Sequence, residues 1–578
     1  MRLKLLIAII FLAAVLRFSG LGSNPPSLNW DEIAIGWNAY SILQTGKDEF
    51  GQYLPSTFRS FDDYKSPAYI YATTISIALF GKTEFAVRFM SALAGTATVP
   101  LMYYFVKTLL VQKKDDTPKD QYWINRIDNM ALFSAGMLAI TPWHIHFSRV
   151  AFESNFALFW EVLGAWLFLL SLHKFKQSTV LLFASVIAFG IALYSYANAR
   201  LFIVLLLMGW GIYFFRKLLS MKKGLIFAII FGLIIAVPLI NQMTQGVGLA
   251  RFQATSIVNR PEVFARNKEQ AVEDYHDGQG TLSVVVHNVR LPLVRQVIQN
   301  YLDHYQYSFL VVKSDLPRHQ VPGFGLLYPW QLPLIIIGTV FLISRRKHIN
   351  AFLPLWWLLI APIPAAITWQ VPHSIRSQLM LPILSILSAI GLWALLKYFQ
   401  QLDLISYTRS QKNRLMYTAH WVGPKVAFLG ILGIIGLSTL HFSLNYQLYL
   451  PKEFAKQWLY GRKEMVEIVE AEKDKYDTII VDLSVDWAYL WFLWYGNYTP
   501  EWYLAQGGTV SGGFEETQNK IGKIQFKPFN FDPTYFGSQN MPPNSLFIAL
   551  PERFPGKLIP YKMVRDPAGK PAIYIVKS

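Results

Sequence analysis

Long apolar runs separated by short polar loops dominate this sequence from its first residues to about position 445. Most runs hold roughly 18 to 25 residues, the length that an α-helix needs to cross a hydrocarbon core about 30 Å thick. The pattern therefore predicts an α-helical polytopic membrane protein with about eleven transmembrane helices. The predicted spans are 3–21, 88–110, 128–147, 155–173, 178–197, 200–215, 224–242, 326–344, 349–369, 377–396 and 425–445.

One further apolar run, 67–80, holds only about 14 residues, which favours an interfacial or re-entrant segment over a span. If it does not cross, the basic clusters all fall on one side, as the positive-inside rule requires of a cytoplasmic face. The first run starts Met-Arg-Leu-Lys and no small-residue cleavage site follows it, so we expect a retained helix. This topology predicts a cytoplasmic N-terminus and an extracytoplasmic C-terminal domain. The absence of cysteine and the retained first helix fit a prokaryotic plasma (inner) membrane.

The same topology leaves two long outer loops, 22–87 and 243–325, and an outer tail. The second loop is expected to contain helices, best at 288–311, because structureless loops of that length are unusual. In the tail, strand-like runs at 478–483, 545–550 and 572–577 follow a helical pattern at 453–473. We therefore predict a transmembrane domain over 1–445 and a small C-terminal α/β domain over 446–578.

Composition narrows the class of protein further. Of 578 residues, 53% are hydrophobic and 15% charged, with no cysteine and a formal net charge of +17. So few charges exclude a series of water-soluble domains, and the lack of cysteine excludes disulfide frameworks and thiolate metal sites. The positive charge lies in short predicted cytoplasmic loops, where membrane insertion explains it and no nucleic-acid partner is needed.

The loop after the first predicted span has the densest group of charged residues near the membrane surface. Asp31 and Glu32 begin a helical stretch there, while Asp62, Asp63 and Lys65 directly precede the interfacial segment. Charged groups near lipid are costly, so each should have a partner or a role. Two interpretations stay open: the acids cap helices in a solvated loop, or they belong to a site.

Later outer segments add further candidates. Arg149 and Glu153 are four residues apart, which suits either an ion pair on one helical turn or an arginine that binds an anion. Tyr196 lies at one junction between spans and His373 and Arg376 at another, where such residues commonly anchor helices at the interface. All nevertheless emerge on the same predicted face as the first-loop candidates. This coincidence indicates a site for an anionic, lipid-anchored substrate.

Three features have weaker implications. His144 and His146 lie two residues apart, which on a helix points them to different faces and argues against a metal pair. Glu161 either faces the cavity below Glu153 or is hydrogen-bonded within the bundle. The aromatic run 487–495 favours core packing in the tail over a binding face.

With these residues identified, the sequence resembles the GT-C glycosyltransferases, particularly the protein O-mannosyltransferase and lipid A aminoarabinose transferase type. The resemblance covers roughly residues 5–400 and is strongest at 25–155. Two positions depart from the family pattern: Ser66-Pro67 stands where many members have Pro-Pro, and Glu153 stands where several have an aspartate one residue later. The motifs that carry the resemblance are Asp31-Glu32, Lys65-Ser66-Pro67, the run 79–93 and Phe147-Ser148-Arg149.

The resemblance implies a GT-C-like fold and an enzyme that uses a polyprenyl-phosphate sugar on the extracytoplasmic face. Asp31 would be the general base, with Glu32 as its catalytic neighbour, and Lys65 and Arg149 would contact the donor phosphate. The need to neutralise the departing phosphate adds Arg376 as a further candidate ligand. We expect a single inverting displacement onto an acceptor hydroxyl of a protein, lipid or glycan. The other site candidates are Asp62, Asp63, Glu153, Tyr196 and His373.

No cofactor is expected, and a divalent metal is left open but not favoured, because two cationic side chains can neutralise a phosphate equally well. The competing class is a transporter or flippase for a lipid-linked sugar. It is disfavoured because the sequence has no internal repeat and its ionisable groups gather at one surface. A membrane receptor whose tail binds a partner is a third class. The sequence determines neither the sugar nor the acceptor, nor the oligomeric state.

Overall fold

Helices follow the predicted apolar runs throughout the membrane part of the chain, and each predicted span overlaps one. The computed structural model describes residues 1–61, 63–111, 118–173, 177–244, 255–276, 290–409, 414–511, 516–529, 542–554 and 558–578. In that part of the chain the helices up to residue 444 are α1 (Arg2–Phe18), α2 (Trp30–Thr45), α3 (Pro67–Phe80), α4 (Glu84–Leu110), α5 (Pro118–Ile140), α6 (Pro142–Ser148), α7 (Glu153–His173), α8 (Ser178–Leu193), α9 (Ala197–Tyr213), α10 (Phe215–Ser220), α11 (Lys222–Thr244), α12 (Pro261–His276), α13 (Arg290–Asp303), α14 (Gln331–Ser344), α15 (Phe352–Ile360), α16 (Ile363–Ala366), α17 (Leu381–Arg409) and α18 (Arg414–Leu444).

Within the described residues, five helical stretches are long and apolar enough to cross a membrane. The predicted class, a helical membrane protein, is confirmed at this level, while the count of eleven spans and the orientation of the termini stay predictions. The helix predicted at 288–311 is present as α13, followed by a short π-helical segment at Ser308–Val312. The five stretches are Glu84–Leu110, Glu153–His173, Lys222–Gln242, Gln378–Gln400 and Phe428–Glu453.

The chain folds as two compact units, and the first comprises 1–17, 94–147 and 154–443. In this unit α14 packs closely on α17, and the two helices meet at Gly338 and Gly391. A Cβ atom on Gly338 would overlap the Leu387 carbonyl, and one on Gly391 would overlap the Leu334 carbonyl. Small residues at such positions let helix backbones approach closely, which is a common basis of packing between membrane helices.

The second unit comprises 18–93, 148–153 and 444–578, so it unites the first outer loop with the C-terminal segment. The loop contributes α2, α3 and a hairpin of β1 (Phe58–Ser60) and β2 (Asp63–Lys65). The predicted domain boundary near residue 446 and the interfacial position of α3 are not tested by this arrangement and stay predictions.

The C-terminal segment forms a six-stranded mixed sheet. Its strands are β3 (Thr478–Val481), β4 (Lys520–Ile521), β5 (Ile524–Phe526), β6 (Ser545–Ala549), β7 (Lys562–Arg565) and β8 (Pro571–Lys577). They lie in the order β4-β5-β3-β6-β8-β7, with β3 parallel to β5 and β6 and the remaining pairs antiparallel. The strands lie where strand-like runs were noted at 478–483, 545–550 and 572–577. The helices of the C-terminal segment are α19 (Leu450–Glu453), α20 (Arg462–Glu472), α21 (Ala488–Tyr495) and α22 (Pro500–Ala505).

The aromatic run at 487–495 divides between core and surface. Trp491 and Trp494 on α21 are buried, as core packing requires, whereas Trp487 is only half-buried. α21 also packs closely on α2: a Cβ atom at Gly36 would lie 3.0 Å from the Trp494 ring and 2.9 Å from a Val87 methyl group. α2 is therefore fixed against the C-terminal segment along its buried face.

Candidate active site

The start of α2 fixes the position of the predicted catalytic acids. Asn29 caps the helix: its Oδ1 accepts from the Glu32 backbone N–H at 3.0 Å, and its own N–H donates to Glu32 Oε2 at 2.9 Å. This reciprocal capping box satisfies two backbone donors that a helix start leaves open. Asp31 is the second residue of the helix, where the partial positive charge of the helix N-terminus stabilises a carboxylate.

Asp31 and Lys65 form a direct ion pair between the Lys65 ammonium and Asp31 Oδ1. Lys65 is the last residue of β2 and lies opposite Phe58 in the hairpin, and Pro67 then begins α3. The Asp31 side chain is 29% exposed and that of Lys65 is 10% exposed. The structure thus unites two predicted site residues 34 positions apart and leaves the carboxylate open to solvent.

Glu32 has a different environment from its neighbour, because its side chain is fully buried. Arg88 donates from Nε to Oε1 at 2.8 Å and from Nη2 to Oε2 at 3.2 Å, and the Ala151 N–H donates to Oε1 at 3.0 Å. With the Asn29 N–H, four donors surround this carboxylate, which is the satisfaction that a buried charge requires. Glu32 therefore connects α2, α4 and the segment 148–153.

Arg88 is a site residue that sequence reasoning did not single out. The rest of its guanidinium holds the loop that precedes α2, donating to the carbonyl oxygens of Leu21, Pro25 and Ser27 at 3.2, 2.8 and 2.6 Å. Its only sequence signal was its place in the family-like run 79–93. A charged residue eight positions beyond an apolar segment gives no indication of which acid it will meet.

Arg149 lies inside this unit, with 1% of the residue exposed. Its Nη2 donates to the Asn24 carbonyl at 2.9 Å, and its guanidinium carbon lies 4.7 Å from the centre of the Tyr446 ring. Burial lowers the pKa of Arg149 from its ordinary value. Its predicted contact with the donor phosphate is not tested by this geometry.

The remaining candidates in this part of the chain are Asp62, Asp63 and Glu153. Asp62 lies outside the described residues. Asp63 pairs with Ser60 in the hairpin ladder, and Glu153 is the first residue of α7.

Arg376, Tyr196 and His373 belong to the first unit, whereas Asp31, Glu32, Lys65, Arg149 and Glu153 belong to the second. Arg376 donates to Thr368 Oγ1 at 2.9 Å and to the Trp369 carbonyl at 2.6 Å. Tyr196 precedes α9 in an extended backbone conformation.

His373 contacts a group that the sequence did not predict. His319 Nδ1 lies 2.9 Å from Asp315 Oδ2, and His373 Nδ1 lies 3.5 Å from the same oxygen. Asp315 is mostly buried; burial raises its pKa, but the two imidazoles and a Ser374 hydrogen bond outweigh that effect and hold the pKa below its usual value. Asp315 and His319 are four residues apart, a spacing too common to have marked them in the sequence.

An aromatic surface flanks the Asp31–Lys65 pair. The Trp487 ring lies 5.4 Å from the ring of Trp30 and 4.5 Å from that of Phe61, measured between centroids. The Lys65 ammonium in turn lies 5.6 Å from the Phe61 centroid. All three aromatic side chains are half-buried. Through Trp487, the C-terminal segment thus contacts the aromatic side chains beside the ion pair.

Glu49, a buried acid of the first loop, connects this loop to the C-terminal segment. Glu49 accepts hydrogen bonds from Asn38 at 2.9 Å, Tyr489 at 3.2 Å and Thr509 at 2.8 Å. Burial raises the pKa of Glu49 to about 7, although these three hydrogen bonds favour the charged form. The charge of Glu49 is therefore expected to change near neutral pH.

No family profile matches the chain, and no curated protein matches its sequence. Among solved structures it is similar to ArnT from Cupriavidus metallidurans, in the apo state (14% identity, TM-score 0.50) and bound to undecaprenyl phosphate (13% identity, TM-score 0.51); each match covers 98% of this chain and 97% of ArnT. It also matches the Archaeoglobus fulgidus oligosaccharyltransferase at 14% identity and a TM-score of 0.49, over 85% of this chain and 62% of that one. The chain thus spans about three-fifths of that second protein.

The match to ArnT over nearly the whole of both chains defines the class of fold. At this level of identity the likeness concerns the fold alone. The chain has the fold of ArnT, and the resemblance predicted from its motifs is confirmed at the level of the fold.

Proposed function

We propose that this protein is a membrane glycosyltransferase that moves a sugar from a polyprenyl-phosphate donor to an acceptor hydroxyl on the extracytoplasmic face. The observation that carries the proposal is the partly exposed Asp31 carboxylate, paired with Lys65 at the start of a capped helix. A carboxylate beside an ammonium group combines a proton acceptor with a phosphate ligand, and this transfer needs both.

In the proposed step the acceptor oxygen attacks the anomeric carbon while the bond from that carbon to the phosphate oxygen breaks. The phosphate leaves with the bonding electrons, and the hydroxyl proton passes to Asp31. Phosphate is a good leaving group, so no strong general acid is required. The attack and departure occur on opposite faces, so the anomeric configuration inverts.

Lys65 stabilises the negative charge that grows on the departing phosphate. Without donor its ammonium is held by Asp31 Oδ1. A phosphate oxygen offers a competing charged acceptor, and a shift of the ammonium toward it would release the Asp31 carboxylate to accept a proton. Donor binding and activation of the base are then coupled through this one ion pair.

Glu32 and Arg88 act as positioning residues in this proposal, because the Glu32 carboxylate already accepts four hydrogen bonds from protein groups. Together they hold the turn that presents Asp31. Arg149 contributes positive charge to the phosphate region from its buried position, and Arg376 remains a second candidate for phosphate binding. Asp63, Glu153, Tyr196 and His373 have no assigned step.

The donor class is supported by the ArnT structure that contains undecaprenyl phosphate, since that chain shares its fold with this one over nearly their entire lengths. The sugar and the acceptor stay open. The outer-face location rests on the distribution of basic loops in the sequence.

The proposal is tested with purified protein in vesicles that contain a polyprenyl-phosphate sugar with a radiolabel in the sugar. We expect acceptor-dependent release of the label from the lipid, with formation of a glycosidic product. Movement of the labelled lipid between leaflets without product would contradict the enzyme and favour a flippase. An Asp477→Asn variant, which changes an acid beside Asn544 in the C-terminal sheet, is the control for carboxylate substitutions and should retain activity.

A further inference from the structure

We propose that Asp315, His319 and His373 bind a zinc ion. The three potential ligand atoms all lie within 4.8 Å of one another. In a tetrahedral zinc site with bonds of about 2.0 to 2.2 Å, ligand atoms lie about 3.3 Å apart. The separations of 2.9 and 3.5 Å between Asp315 Oδ2 and the two imidazole nitrogens lie on either side of that value.

Neighbouring serines orient the Asp315 carboxylate for this task. Its Oδ1 accepts from the Ser314 hydroxyl at 2.8 Å, and from the Ser374 hydroxyl and N–H at 2.5 and 3.2 Å. These bonds leave Oδ2 as the oxygen that faces both imidazoles. Hydrogen bonds of this kind to the second oxygen of a ligand are typical of metal sites, where they fix the orientation of the first.

The types of ligand favour zinc over magnesium or calcium. Two imidazoles and one carboxylate are borderline-soft donors that suit zinc, whereas magnesium and calcium prefer all-oxygen sites. A cavity of about 440 Å³ borders the group and is lined by Asp315, His373 and Lys313, among others. Three protein ligands beside an open cavity leave a fourth position for water or an anionic oxygen.

The proposed transfer step at Asp31 and Lys65 does not use this group. Its test therefore uses metal binding alone. Protein in detergent is treated with a chelator, desalted, incubated with zinc and desalted again, and the retained zinc is measured by mass spectrometry. We expect about one zinc per chain, and a visible absorption spectrum typical of tetrahedral coordination when cobalt is substituted.

His373→Gln and Asp315→Asn should lose the retained metal, whereas the control His348→Gln, at an exposed histidine that stacks on Trp123, should retain it. Zinc should also raise the Tm of the wild type but not of His373→Gln, because a ligand stabilises only a state that binds it. Wild-type protein that retains no zinc would overturn the proposal even if every variant failed to fold. So would His373→Gln protein that retains as much zinc as the wild type.

A second observation carries a separate inference, which rests on the proposed function. We infer that Trp487 forms the surface on which the sugar ring packs. Its side chain is half-buried and contacts Trp30, the chain neighbour of Asp31, and Phe61, whose ring centre lies 5.6 Å from the Lys65 ammonium. Its backbone has φ +49°, a left-handed conformation that bulky residues rarely adopt and that is found preferentially at functional sites.

Flat aromatic faces pack well against the C–H face of a pyranose ring, and such contacts contribute beyond the area that they bury. We expect Trp487→Ala to raise the KM for the sugar donor about 5- to 10-fold with a small change in kcat, and Trp487→Phe to restore most of the loss. Trp502→Ala, at a more exposed tryptophan on α22, is the matched control and should leave the KM unchanged. If the wild type transfers sugar and Trp487→Ala has the wild-type KM, this inference fails; if the wild type transfers none, the proposed function fails.

Discussion

Arg88 donates to both carboxylate oxygens of Glu32, from Nε at 2.8 Å and from Nη2 at 3.2 Å, and both side chains are fully buried. The pair joins α2 to α4 immediately beside the exposed carboxylate of Asp31. Two adjacent acids therefore have opposite environments. One is enclosed by protein donors, and the other is partly exposed and paired with Lys65.

Removing one member of this buried pair should be strongly destabilising. For Arg88→Ala we expect the free energy of unfolding to fall by about 3 to 5 kcal/mol, because the Glu32 charge would remain buried without its partner. Lys463→Ala, which breaks a more exposed ion pair with Glu84 at 3.0 Å, should cost less than about 1 kcal/mol. Thermal or denaturant unfolding in detergent measures both, and equal losses would contradict the structural role of the buried pair.

Glu49 should make stability depend on pH near neutrality. Its pKa is about 7 in the folded state against 4.5 ordinarily, so the native state retains a proton between these values that the unfolded state has released. Stability from this group is therefore lost as the pH rises from 4.5 to 7, by about 3 kcal/mol.

Glu49→Gln is always neutral and should lack this decline. The measurement is the free energy of unfolding across that pH range, with the difference between wild type and variant isolating Glu49 from other titrating groups. A constant difference would mean that Glu49 does not bind a proton preferentially in the folded state.

The contact between α14 and α17 predicts a size limit at Gly338. A valine there would overlap the Leu387 carbonyl, and relief would require the helices to separate, at a cost of about 3 kcal/mol. Gly430→Val is the control, since a Cβ atom at Gly430 meets no atom within 4 Å. The Tm of each variant in detergent checks this, and a Gly338→Val protein as stable as Gly430→Val would contradict the close approach.

Lys65 should be required for donor binding. Lys65→Ala removes a charge-assisted hydrogen bond to the phosphate, so we expect the apparent KM for the polyprenyl-phosphate sugar to rise roughly 10- to 100-fold. Arg149→Ala tests the proposed charge of the buried arginine in the same assay, and Lys520→Ala, at an exposed lysine on β4, is the control. An unchanged KM in Lys65→Ala would remove it as a phosphate ligand.

The sequence predicted the helices well, because each long apolar run needs a helix to satisfy its backbone in lipid. It also predicted Asp31 and Lys65 as partners in one site, through the order of motifs in the resemblance. It did not predict the burial of Glu32, whose environment depends on Arg88 and Ala151, 56 and 119 residues away. Nor did it predict the Asp315 group, since His373 reaches Asp315 only through the fold.

The central claim is that Asp31 accepts the proton from the acceptor hydroxyl. The direct measurement compares kcat for sugar transfer in wild-type, Asp31→Asn and Asp477→Asn proteins at saturating donor. We expect Asp31→Asn to lose about 10²- to 10⁴-fold in kcat with its fold and donor binding retained, while Asp477→Asn stays at the wild-type rate. Transfer by Asp31→Asn at the wild-type rate would contradict this role for Asp31.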